Sequence, residues 1–163
     1  MTTSITVFLA VSIPFSLAFG PISARAESAN RQALENGIVK VQSAYPVAET
    51  IERIKQDIAA KGIMFFFAVD QAKLAGDVGI QLRPSTLLVF GNPALGSQFI
   101  TSNPLAAIDW PVRLLITQDE KGKVWAVYNE FDAIARRHGI TDRREAFDKA
   151  SEVIGSITSS VAQ

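Results

Sequence analysis

Cysteine is missing from all 163 residues of this chain. That excludes disulfides, thiolate metal sites and cysteine nucleophiles together. It does not fix the compartment, because an exported protein can lack cysteine. Histidine occurs once, as His138. A metal site normally gathers several His, Cys or carboxylate ligands, and no such cluster is visible, so neither a metal nor a cofactor is expected. Basic runs are also absent. Lys+Arg and Asp+Glu are 16 each, a formal charge of zero, so nothing supplies the phosphate-neutralising contacts of nucleic-acid binding. There is no Gly-x-Ser-x-Gly elbow, and Ser85, Ser97 and Ser102 have no base pattern nearby.

The apolar fraction, 48%, lies at the upper end of globular usage. Part of the excess is at the start. Ile5 to Phe19 is almost wholly apolar, and Ala24-Arg25-Ala26 has the small-x-small pattern of a cleavage site. Residues 1–26 are therefore expected to be a secretory signal peptide, although Met-Thr-Thr-Ser brings no basic side chain. The run is shorter than the ~20 residues of a spanning helix, and Pro14 and Gly20 break it. No stable membrane span is expected after cleavage. Removing 1–26 takes away Arg25 and no acid, which leaves a formal charge of −1. The expected location is the periplasm or the secreted fraction.

Residues 27–37 are polar and are expected to be a mobile lead-in to one domain over 38–161. Val47, Ile51, Ile54 and Ile58 recur on one helical face after Pro46, and Lys61-Gly62 makes a stop. Ile63 to Val69 is apolar at every position and too short for a helix. It predicts a central strand covered on both sides, or one whose outer face is buried in a partner. Gln71 to Gly79 predicts a short helix with Ala72, Ala75 and Val78 inward. Ala94 to Ile108 predicts a helix interrupted near Pro104. Asp119 to Gly122 predicts a hairpin loop. In the strand that follows, Trp125 and Tyr128 fall on opposite faces, so one of them faces the core or an interface. Thr141 is an expected N-cap, and Phe147, Ala150, Ile154, Ile157 and Val161 form the clearest helical stripe. Strands near 38–43, 63–69, 86–90, 112–118 and 123–129 give an α+β fold. Its mostly antiparallel sheet of about five strands is covered on one face by helices.

The most specific local pattern is Leu87 to Phe99, a buried strand, a polar turn and a helix start. Gly91, Asn92, Pro93 and Gly96 occupy the corner. A helix N-terminus offers free N–H groups, suited to an anion or carboxylate. The competing use is a tight turn in which Asn92 only caps backbone, and the Lys of a phosphate loop is missing. Asp70 and Asp109 each lie at a strand boundary. They are candidates for an acid–base pair if they meet, and for ordinary turn or cap formation if they do not. His138 follows Arg136-Arg137 and precedes Gly139, where a cation suits the end of a helix.

Together these pieces carry a resemblance. Asp70-Gln71-Ala72, Leu82-Arg83-Pro84, Phe90-Gly91-Asn92-Pro93 with Gly96, Asp109-Trp110-Pro111, Val124-Trp125-x-x-Tyr128-Asn129 and His138-Gly139 occur in the order and spacing of the domain of unknown function 302 family. The chain resembles that family over roughly residues 38 to 140. The family usually has Asp-His-Ala where this chain has Asp70-Gln71-Ala72, so any proton or metal role of that His is lost here, or a ligand is bound through the amide instead. The resemblance implies the TATA-box-binding-protein-like fold class and dimers, but no settled activity, and fold does not imply DNA binding.

The leading expectation is an exported, non-enzymatic module. It would bind a small-molecule or anionic ligand through Asp70, Gln71, Gly91, Asn92, Gly96 and Asp109. The alternatives are an envelope interaction or structural protein whose motifs only fix turns, and an acid–base enzyme using Asp70 or Asp109. A homodimer is the expected assembly.

Overall fold

The computed structural model describes the backbone of residues 31–33 and all of residues 36–163; the expected leader, 1–26, lies outside the described residues. Six strands form one antiparallel sheet: β1 (Arg31–Ala33), β2 (Ile38–Gln42), β3 (Met64–Asp70), β4 (Ser85–Gly91), β5 (Val112–Gln118) and β6 (Val124–Asn129). Their order is β1-β2-β6-β5-β4-β3. The helices are α1 (Val47–Ala60), α2 (Gln71–Asp77), α3 (Pro93–Ser102), α4 (Phe131–Arg137) and α5 (Arg144–Ser159), with a 3-10 turn over Pro104–Asp109. The α+β fold with helices over one sheet face is as expected.

Alternation decides which face is covered. Val39, Val41, Leu88, Leu114, Ile116, Ala126 and Tyr128 point to one side of the sheet and are buried there. Ile54 and Ile58 of α1 meet them, as do Phe147, Ala150, Ile154 and Ile157 of α5. These positions recur every three or four residues, so each helix buries one stripe against one sheet face. Tyr128 takes the core side. Trp125 takes the outer side, where the Lys40 ammonium lies 4.3 Å from its ring centroid and Asp119 accepts from its Nε1 at 2.9 Å. Gly62 and Gly122 have φ of 64° and 76°. That left-handed backbone ends α1 and closes the β5–β6 hairpin, and glycine adopts it without steric cost.

Several expectations are corrected. The apolar 63–69 segment is not a central strand, because β3 is the sheet's edge. No residue of β3 is fully buried in the single chain, so its apolar run does not reflect two covered faces. Here a bulge between Phe65 and Phe67 breaks the alternation. Phe65 joins the core, while Met64, Phe66 and Phe67 stay exposed. The short helix α2 forms but buries none of its residues, and Val78, expected to point inward, is 73% exposed. Thr141 does not cap α5. The cap position is Arg143, without a side-chain bond, because the helix starts two residues later than expected; Asp142, outside it, accepts from the Ser102 hydroxyl. Within the polar lead-in, Arg31–Ala33 pairs with β2 and supplies a sixth strand.

Candidate functional site

The β4–α3 corner is built from its glycines. A Cβ at Gly96 would stand 1.8 Å from Cε2 and Nε1 of Trp110, and one at Gly91 would stand 3.1 Å from Trp110 Cζ2. Only a residue without a side chain lets the indole lie against α3. The Trp110 ring meets Phe99 edge-on at 5.6 Å, and Phe99 stacks on Phe147 at 4.2 Å. This ladder ties the start of β5 to α3 and α5.

Beside Trp110 lies a cleft of about 670 Å³. Phe90, Leu95, Trp110, Val112, Val153 and Ile154 form its apolar wall. Gly91 and Asn92 line one side, and Lys61, Lys149 and Glu152 supply its charged rim. The volume is within the roughly 300–1,000 Å³ of small-molecule sites.

The corner does not offer an anion-binding helix N-terminus. Pro93 has no N–H. Asn92 Oδ1 accepts from the N–H groups of Ala94 at 3.0 Å and Leu95 at 3.3 Å. The Asn92 carbonyl accepts from Gly96 at 2.9 Å. The donors that an anion would need are satisfied internally. Asn92 is thus a helix cap whose residue also borders the cleft.

Antiparallel pairing separates the remaining candidates. Met64 pairs with Gly91 and Asp70 with Thr86, so Asp70 lies roughly 17 Å along the strand from the cleft corner. There Asp70 Oδ1 accepts from the Lys73 N–H at 2.9 Å and caps α2. Gln71 Oε1 accepts from the Ser85 hydroxyl at 2.8 Å, which pins α2 to the start of β4. Asp70 and Asp109 therefore do not form an acid–base pair.

Asp109 sits immediately before Trp110 in a different environment. Its carboxylate is buried and receives both oxygens' worth of donors. Arg137 Nη1 lies 2.9 Å from each oxygen, Arg113 Nη2 is 3.2 Å from Oδ1, and His138 Nε2 is 2.8 Å from Oδ2. Burial by itself would raise the Asp109 pKa. The His138 and Arg137 hydrogen bonds, with the charge beside them, outweigh it and hold the group below the usual carboxylate range. His138 is the C-cap residue of α4, and its carbonyl accepts from Asn103 Nδ2 at 2.8 Å. The cluster joins the 3-10 turn, β5 and α4 behind the Trp110 wall. No group of three or more His, Cys, Asp or Glu positioned to hold a metal occurs among the described residues.

Of the expected site residues, Gly91 and Asn92 line the cleft, Gly96 seats its indole wall, Asp109 anchors that wall from behind, and Asp70 and Gln71 stand at the far end. Lys61, Lys149 and Val153 were not foreseen. Lys149 and Val153 flank Ala150 on α5, and their pairing with the Gly91 corner arises only in three dimensions.

The family model for the domain of unknown function DUF302 matches residues 39–157. The chain belongs to this family. It is 36% identical over 107 residues to the fluoride-specific ion channel FluC 1 of Brucella suis biovar 1 (strain 1330), covering 66% of this chain and 42% of that protein. Over the same length it is 36% identical to fluoride-specific ion channel FluC 2 of Brucella melitensis biotype 1 (strain ATCC 23456 / CCUG 17765 / NCTC 10094 / 16M), covering 40% of it. The chain thus spans about two-fifths of these curated relatives. The crystal structure of an uncharacterized conserved DUF302 protein from Bacillus stearothermophilus superposes with a TM-score of 0.70 at 15% identity, covering 77% of this chain and 98% of that one. That likeness is one of fold. No helix among the described residues is long and apolar enough to cross a membrane.

The Asp109 cluster makes a prediction about acid. A lowered folded pKa stabilises the protein above the ordinary carboxylate pKa of about 3.9, and that stability is lost as pH falls through the folded value. Asp109→Asn leaves His138 and two half-exposed guanidiniums with a weaker acceptor, an expected cost at pH 7 of about 1–3 kcal/mol. Urea unfolding at pH 7 and pH 3 measures both: the gap between wild type and variant should narrow at pH 3. An equal gap at the two pH values would contradict the charge-based account.

Proposed function

We propose that this DUF302 chain is an exported, non-enzymatic module that binds a small ligand in the cleft beside the Gly91–Gly96 corner. One observation carries this reading: an apolar concavity of about 670 Å³ against the family's signature turn, walled by an indole. Rigid elements build it, with β4 and β5 on one side and α3 and α5 on the other. Such sites take most of their affinity from apolar walls and their orientation from a few polar rim groups. Acid–base chemistry has less support. Asp70 is an exposed cap, and Asp109 is saturated by donors that keep it ionised, the reverse of a proton donor's environment. The channel name belongs to chains more than twice as long as the matched region.

A second reading rests on a separate surface. Among the described residues β3 leaves one backbone edge without a neighbouring strand, and Met64, Phe66 and Phe67 beside it are exposed, Phe67 by 54%. Leu74, Val78, Ile80 and Leu82 continue the apolar surface past α2. The edge is apolar from Met64 to Val69 and meets charge only at Asp70, and such an edge is a template for strand pairing. A second copy would cover it by antiparallel pairing about a two-fold axis.

For the cleft, a thermal-shift screen of a small-molecule library should yield compounds that raise the melting temperature. Ala94→Trp, at an exposed position on the cleft wall, should abolish those shifts. An empty screen, or hits indifferent to the variant, would sink the binding reading. For the edge, light scattering should find a dimer in wild type and a monomer in Phe67→Lys; a monomeric wild type removes the second reading. For export, intact mass of the protein recovered outside the cytoplasm should correspond to a chain starting at Glu27, and a full-length mass there would reject cleavage after Ala26.

A further inference from the structure

The cleft's walls are apolar, and its charged lining is uneven. Three charged side chains line it: Lys61, Lys149 and Glu152. Lys61 comes from the end of α1, and Lys149 and Glu152 from α5, so the two ammonium groups approach from different elements. Lys61 is held by Asp57 at 2.6 Å in a pair that is 31% and 21% exposed, and Asp57 itself does not line the cleft. Both Asp57 oxygens accept from Lys61 Nζ, which orients the ammonium and offsets part of its charge. Lys149 meets Glu152 at 3.2 Å, but the two are 64% and 70% exposed. An exposed pair at this spacing contributes little, so exchanging Glu152 for another carboxylate costs little.

We infer that the ligand of this cleft is an anionic amphiphile, an apolar body of acyl or ring type carrying a carboxylate-like head. The body lies against Trp110, Phe90 and Val153. The head sits at the mouth between Lys61 and Lys149, with Lys149 as the adjustable partner. This is a different place from the helix N-terminus of α3, whose donors are spent on Asn92. The inference rests on the cleft being a binding site, and it adds the charge of what is bound.

The test is calorimetric titration of the full chain with three probes of one tail length, below their micelle concentrations: dodecanoate, dodecanol and dodecyltrimethylammonium. Dodecanoate should bind most tightly, and added salt should weaken it. Lys149→Glu should weaken dodecanoate about fivefold and Glu152→Gln should tighten it, with little effect on dodecanol. Ala94→Trp should remove binding of every probe. If the ammonium probe binds as well as dodecanoate, or Lys149→Glu leaves dodecanoate unchanged, the anionic class is wrong while the cleft stands as a site. If no probe binds, or binding survives Ala94→Trp, the inference and the cleft reading both fail.

Discussion

The indole of Trp110 lies where a Cβ of residue 96 would be, and the cleft end of the protein depends on that exchange of volume. Cβ contacts as close as 1.8 Å have no relief by small adjustment. With glycine at 96, the ring fills the space and becomes the cleft wall. It then reaches α3 through Phe99 and α5 through Phe147. The turn motif is therefore a packing device first. It sets the distance between a strand end and a helix, and the cleft is what that distance leaves open.

The same indole is fixed from behind by charge. Asp109 is one residue away and is bound by groups from β5 and α4. A buried carboxylate with this many donors is costly to move, because displacement separates the buried Asp109 and His138 groups from each other, while water can reach the half-exposed guanidiniums. The packing of Trp110 on glycine and the anchoring of Asp109 act on adjacent residues from opposite sides. Together they make a rigid wall, which a binding site requires and which a turn alone would not supply.

Where one face of an element was buried, its period was legible in the sequence. The stripes of α1 and α5 and the alternation of β6 all lie where they were expected. β3 was misplaced because an apolar run gives neither burial nor strand order, and the Phe65–Phe67 bulge has no signature in composition. Local capping was legible too: Asn92 and Asp70 both cap helices. Which of these caps share a site was not. Antiparallel pairing sends Asp70 and Gln71 to the far end of the sheet, and strand direction is a tertiary fact. Lys149 escaped notice for a related reason. On α5 alone it is an ordinary surface cation, and it acquires meaning only once the helix lies over the Gly91 corner.

The cleft and the exposed edge are neighbours, and that links the two proposed activities physically. Ile63 packs against the core and lines the cleft, and Met64, the next residue, begins the edge strand and pairs with Gly91. A chain added along β3 and reaching past Ile63 would shield part of the cleft from water. Shielding strengthens the attraction between a rim ammonium and an anionic head, since the local dielectric falls. It also restricts exit. Assembly through the edge and ligand occupancy would then favour one another through a shared boundary one residue wide, without any change in the fold. Such coupling is reciprocal, so a ligand held at Lys61, two residues before Ile63, would in turn steady the start of the strand that a partner must meet.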